Sequence, residues 1–260
     1  MSVFISPRLK VERACKHIQE LESITFPLSK ELYEIKVEAE FAFPRPDAIG
    51  MSLVYRPTQP IAETLGLIIG DVISNFRAAL DHLASGIVRE VDSTKRPYFP
   101  MSDSREELSK NRFLPILDAA LPGASELLLG KLRPEGGGDE LYWLFHSMDN
   151  DSKHNIILPT VSAVNIQNIN LTSGGMTMTN YGVGGDATKQ INLLRTGGEP
   201  IRIQNTFDVS VELSFPSESI FPNLPVIRTL QKIGEIVTLT INEFEKLYTT
   251  NKTDKVKELA

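Results

Sequence analysis

The chain has one cysteine in 260 residues, so no intramolecular disulfide can form and a reducing compartment suits it. That residue, Cys15, falls on the apolar side of a first helix and is expected in the core. No apolar run approaches the roughly eighteen residues that a membrane span requires. The opening stretch, residues 1–7, is too short an apolar run for a signal peptide. A soluble, cytoplasmic protein with no membrane partner is the expectation. Positive charge is not in excess either. The net charge is -6 and the pI about 5.4, so no global basic field draws nucleic acid, and any such binding needs a local patch. There is no Gly-x-Ser-x-Gly elbow and no dinucleotide fingerprint, and Cys15 has no cationic neighbourhood beyond Arg13 and Lys16; serine hydrolase and dehydrogenase readings are unsupported. Internal repeats and low-complexity tracts are also missing.

What is present is ordinary globular composition, 41% hydrophobic and 23% charged, with enough length for a sizeable core in one or two domains. Leu9, Val11, Ala14, Ile18 and Leu21 recur at helical spacing. His17 lies among charges in that helix and reads as solvated. From Tyr33 to Phe43 apolar and polar residues alternate, the mark of a half-buried strand, and residues 51–55 can return beside it. Arg96-Pro97-Tyr98-Phe99-Pro100 is locked in an extended form, with its aromatics expected to pack under the helices. Short helices are plausible over residues 104–110, 112–120 and 124–132, between prolines. Gly136-Gly137-Gly138 lacks the strand before it and the Lys-Ser/Thr after it that a nucleotide loop requires, and reads as a flexible turn.

Asp139 then caps a helix through Trp143 and Met148, which ends in a polar cluster, HSMDNDSKHN. Carboxylates at a helix C-terminus are electrostatically disfavoured. Asp149 and Asp151, with Lys153 and His154 to offset them, are therefore either a charged exit or part of a polar interior. Beyond residue 156 the pattern changes to strands rich in Asn, Thr and Gly, punctuated by paired glycines. A last amphipathic helix carries Leu230, Ile233, Val237, Ile241 and Phe244. The reading is an α+β fold: a mainly helical part with an N-terminal hairpin over 1–155, an antiparallel sheet over 156–215, and a C-terminal helix over 216–260 that packs back on the helical core.

The most informative stretch is the long helix expected over residues 60–90. Ala62, Leu65, Ile69, Val72, Phe76, Leu80, Leu83 and Ile87 form one apolar stripe. The opposite face lacks the Lys and Glu of a solvent face. Between Thr64 and Val88 its only titratable groups are Asp71, Arg77, Asp81 and His82. At about 100° per residue, Arg77 and Asp81 fall on one flank and Asp71, Asn75 and His82 on the other, with Ser74, Ala78 and Ser85 between them. A helix covered on both sides follows, and its few polar groups must be paired or used.

Arg77, four intervening residues and His82 resemble the Arg, four to six residues, His signature of the HEPN superfamily of helical proteins. The wider pattern, GD, NFR, ALDHL, YFP and SKHN, is similar to an uncharacterised family of bacterial proteins. Many HEPN proteins are metal-independent ribonucleases of toxin, antiviral and RNA-processing systems whose motifs meet across a dimer interface. The resemblance implies an endoribonuclease needing no cofactor, acting on RNA as a homodimer joined through the helical core, with a protein partner conceivable for a toxin. In it Arg77 binds phosphate and His82 is acid or base, with Asn75 and Asp81 orienting them. The strands are then additions to an all-helical domain. Two other readings stay open. Asp71, Asn75, Arg77, Asp81, His82, Lys153 and His154 could form a buried network that only fixes helix packing in a binding or assembly module. A metal site could use Asp71, Asp81 and His82 with His154 or Asp151, although no Glu-x-x-His pair is present.

Overall fold

Apolar residues three and four apart produce helices slightly longer than their periodic cores. In the computed structural model, which describes residues 2–26, 28, 30–41, 49–58, 61–152 and 160–258, these are α1 (Ile5–Thr25), α2 (Ile61–Arg89), α6 (Glu140–Ser152) and α7 (Val226–Glu258). Between α2 and α6 lie the short helices α3 (Arg105–Ser109), α4 (Leu114–Ala120) and α5 (Ala124–Glu126), the last widening into a π-helical turn over Leu127–Leu132. With antiparallel sheets beside them, the fold is α+β. No helix among the described residues is long and apolar enough to cross a membrane.

Helix α1 corrects two expectations. Ala14, Ile18 and Leu21 form its buried stripe, but Cys15, a step of about 100° from Ala14, is exposed. His17 is 8% exposed. It sits one turn before Leu21 and so shares the buried face, whatever charges flank it in sequence.

The chain divides into two compact units, the first Met1–Ile18, Leu67–Ile157 and Arg228–Ala260, the second Gln19–Gly66 and Leu158–Ile227. The second holds both sheets. Strands β1 (Tyr33–Phe41) and β2 (Ile49–Pro57) pair in register from Tyr33↔Pro57 to Phe41↔Ile49, and β2 pairs in turn with β5 (Ile191–Thr196). The first hairpin, read from the sequence with the helical part, therefore belongs to a sheet with a strand far along the chain. Alternation reveals that a strand has one buried face, not which strand it pairs with. In the other sheet β3 (Thr160–Ser173) pairs along one edge with β4 (Met176–Gly185) and along the other with β6 (Arg202–Ile203) and β7 (Asp208–Ser214). Gly174 and Gly175, at φ 55° and 79°, make the two-residue turn between β3 and β4, for which positive φ at both positions is needed. Gly184 and Gly185 instead lie inside β4.

Tyr55 on β2 is fully buried, and its hydroxyl donates to the Ala187 carbonyl at 3.1 Å. Burial, with help from Tyr33 and Asp186, pushes its phenol up from 10 to about 12. A raised folded pKa means that this stabilising contribution is whole below pH 10 and is lost as pH rises through about 12. Urea unfolding between pH 9 and 12 is thus expected to show stability falling by at most about 1.4 kcal/mol per pH unit for this group. Tyr55→Phe should remove that slope at a cost of about 1 kcal/mol near pH 7. An unchanged slope would refute the assignment.

In the first unit, α2 packs its stripe against α7. Phe76 is buried, and a Cβ on Gly234 would stand 2.8 Å from the Phe76 ring. Phe244 of α7 meets Phe99 edge-on with ring centroids 5.9 Å apart, and Thr240 of α7 hydrogen-bonds the Tyr142 hydroxyl of α6. Phe99 is therefore buried as expected, but its neighbour Tyr98 is 61% exposed, because successive side chains of an extended segment point to opposite sides.

Candidate functional site

Arg77, Asp81 and Ser85 recur every fourth residue along α2 and line up on one side of it. Against this row lies the extended segment 97–103. The Arg77 guanidinium engages through all three nitrogens: Nε donates to Asp81 Oδ2 at 3.3 Å, Nη1 to Met101 Sδ at 2.9 Å and Nη2 to the Phe99 carbonyl at 3.1 Å. Nη2 also stands 3.1 Å from Asp81 Oδ1. That oxygen accepts the Phe99 N–H at 2.9 Å, and Ser85 Oγ donates to the Pro97 carbonyl at 2.9 Å. The side chains of Arg77 and Asp81 are only 11% and 20% exposed. Proline locks the segment extended and leaves its peptide groups unable to pair locally, so the helix's polar row satisfies them.

Beside this pairing opens a cavity of about 490 Å³ lined by Ser74, Arg77, Ala78, Asp81, Tyr98, Phe99, Met101, Asn111, Phe113 and Asp149. Ser74, Ala78 and Asp81 form the α2 wall. Tyr98 and Phe113 meet edge-on, ring centroids 6.0 Å apart, and the Arg112 guanidinium lies 4.7 Å from the Phe113 centroid. Asn111 Oδ1 accepts the Phe113 N–H at 3.0 Å. Asp149 comes from the last turns of α6 and is 2% exposed. It is thus no solvated helix exit: one member of the second polar cluster reaches the cavity of the first.

The other flank of α2 is separate. His82 is about 140° around the helix from Arg77, is exposed, and accepts or donates at Nδ1 to Ser6 Oγ of α1 at 2.7 Å. Asn75 Nδ2 donates to the Asp71 carbonyl at 2.8 Å, and Asn75 Oδ1 accepts from Lys10 Nζ at 3.3 Å. Asp71, Ser74 and His82 are exposed, so α2 is not covered on both sides along its whole length. Arg77 and Asp81 meet as expected; within one chain His82, Asn75 and Asp71 do not join them. Among the described residues no group of three or more His, Cys, Asp or Glu is placed to hold a metal ion, and Asp81 and His82 bond different neighbours, Arg77 and Ser6. Lys153 and His154, and the side chain of Asp151, lie outside the described residues.

Sequence reasoning missed the aromatic wall. Tyr98 reads as a packing residue and Phe113 only as part of a short helix, and Asn111 carried no signal beyond its place between short helices. The available clue was the proline-locked segment itself: an extended stretch with many unpaired peptide groups needs a polar row opposite it, and α2 has one.

No family model matches the chain, and neither a curated protein nor a solved structure matches it.

Proposed function

We propose that the protein is a ligand-binding module whose site is the cavity between α2, the 97–103 segment and the end of α6. The observation that carries this is the arrival of Asp149 beside Arg77 and Asp81 in a space of about 490 Å³, a size ordinary for small-molecule sites, with aromatic walls and a few convergent polar groups. A network serving packing alone would close on itself and leave no such space. Ala78 offers a direct test, since a tryptophan there fills the cavity from a half-exposed helix position. In a thermal-shift screen of nucleosides, amino acids and small carboxylates, at least one compound is expected to raise the melting temperature of the wild type and not of Ala78→Trp. A panel that shifts neither protein, or both alike, removes the proposal.

A second reading, the HEPN-like endoribonuclease, rests on His82. With Nδ1 turned to Ser6 Oγ, Nε2 has no hydrogen-bond partner among the described residues and faces outward, where an acid or base for the ribose 2′-hydroxyl is needed. This reading takes Arg77 as the phosphate ligand, which requires its guanidinium to exchange the Met101 sulfur or the Phe99 carbonyl for phosphate oxygens, and requires a second copy to supply it to His82. Cellular RNA incubated in EDTA is expected, on this reading, to be cut by the wild type and by neither Arg77→Ala nor His82→Ala. Uncut RNA with all three folded would discard it.

A further inference from the structure

We propose that Ser6 and His82 form a nucleophile and base pair that takes the acyl group of a neutral carboxylic ester. The contact that carries this lies on the flank of α2 turned away from the cavity, where Ser6 Oγ stands 2.7 Å from His82 Nδ1 and both residues are exposed. With the ring proton on Nε2, that is the separation at which an imidazole takes the proton of an attacking hydroxyl. Contacts before and after the pair hold it in register. A Cβ on Gly86 would stand 3.3 Å from the Val3 carbonyl oxygen, and Lys10 Nζ reaches Asn75 Oδ1 at 3.3 Å. Positions rising along α1 thus meet positions falling along α2, and the two helices run antiparallel with Ser6 set against His82.

The backbone supplies a second component. Ser6 stands in the first turn of a helix of 21 residues, where N–H groups lack intrahelical partners and the dipole favours negative charge. Phe4 N–H is taken by Ser2 Oγ and Ile5 N–H by the Ser2 carbonyl, and Pro7 has none. The Ser6 N–H is left without a hydrogen-bond partner among the described residues. It belongs to the same residue as the attacking Oγ and can donate to the oxyanion formed there. Charge selects the substrate. Arg8 is committed to Asn242 and Glu245, and Lys10 to Asn75. No free cation therefore lies within one turn of Ser6 on α1 or of His82 on α2, which disfavours a phosphate or a carboxylate and leaves a neutral ester. Leu9, three residues beyond Ser6 and on the same flank, is 56% exposed and offers an apolar surface to the acyl chain.

In the reaction Ser6 Oγ bonds to the carbonyl carbon as its proton passes to His82 Nδ1. The bond to the leaving alcohol then breaks, and that alcohol takes the proton. Water attacks the acyl-serine next, again giving a proton to His82, and the acid leaves as the Ser6 hydroxyl is restored. The full chain incubated with p-nitrophenyl butyrate tests this. The wild type is expected to release p-nitrophenol in a burst of about one equivalent, and peptide mapping by mass spectrometry to find the butyryl group on Ser6. The exposed Cys15 and the lysines also react with such esters, so the modified residue is the readout rather than the rate alone. Ser6→Ala should abolish the burst. His82→Gln keeps a hydrogen-bond acceptor for Ser6 but no base, and should slow acylation of Ser6 about a hundredfold. Both positions are exposed, and circular dichroism checks that the variants keep the fold. A burst of equal size in all three proteins, a Ser6 that stays unmodified, or undiminished acylation of Ser6 in His82→Gln overturns the proposal. RNA cleavage in EDTA, which needs Arg77 and not Ser6, reports separately on the other use of His82.

Discussion

Asp81→Ala is expected to lower the free energy of unfolding by about 3 kcal/mol, more than either Asp81→Asn or Arg77→Met. The magnitude follows from burial. Exposed ion pairs contribute about 0.2–1 kcal/mol, whereas stripping one partner from a buried pair costs about 3–5 kcal/mol because the other charge is stranded. At 11% and 20% exposure this pair lies nearer the second case. Asp81→Ala strands the guanidinium and also the Phe99 N–H. Asparagine keeps one acceptor for that N–H. Arg77→Met removes the cation instead, leaving a carboxylate that is still hydrogen-bonded and has some solvent. The ordering separates this account from simple loss of contacts, and the Arg77→Met, Asp81→Ala double variant sharpens it. With both charges gone, it should be more stable than Asp81→Ala alone. Urea titrations of the wild type and the four variants read this out, and additive losses in the double variant would refute the stranded-charge argument.

The physics behind that ordering also explains how far the sequence could be read. Period and composition located α2, α6, α7 and the alternating strands, because each follows from local spacing. The spacing of four between Arg77 and Asp81 made their meeting legible too. What was not legible depends on chain segments that come together only after folding: Phe99 as the backbone partner of both charges, Ser6 as the partner of His82, β5 beside β2, and Asp149 in the cavity. Residues next to charged neighbours misled in both directions. His17 is buried because its turn of α1 is, and Cys15 is exposed because its side of the helix is. The Arg77 and His82 motif is continuous in sequence, yet its two side chains leave the helix on different flanks. A linear motif at a spacing of five does not make a common face on an α-helix.

Gly136→Ala is expected to cost about 3 kcal/mol or more, a size reached only when a backbone contact must break, and to act on the cavity from a distance. The glycine run is not the flexible turn its composition suggests. Gly136 N–H donates to the Ser102 carbonyl at 3.3 Å, and Ser102 N–H to the Pro134 carbonyl at 3.3 Å, so residues 134–136 grip the far end of the segment that Arg77, Asp81 and Ser85 hold at its start. A Cβ on Gly136 would lie 2.2 Å from the Asp103 carbonyl oxygen, and one on Gly138 would lie 2.4 Å from that of Arg133. Backbone oxygens do not swing aside as a side chain does. Gly137, at φ 82°, instead needs glycine for its conformation. Alanine at 136 must therefore push residues 102–103 away, straining the Trp143 Nε1 bond to Asp103 Oδ1 at 3.1 Å. Met101, which lines the cavity and touches Arg77, is the adjoining residue. The displacement should reach the site, so Gly136→Ala is expected to lose stability in urea and also whatever ligand response the wild type shows. Gly137→Ala, with no neighbour within 4 Å of its Cβ, suffers only the positive φ, about 1 kcal/mol, and should bind normally. A Gly136→Ala protein within 0.5 kcal/mol of the wild type would mean that this turn does not clamp the segment.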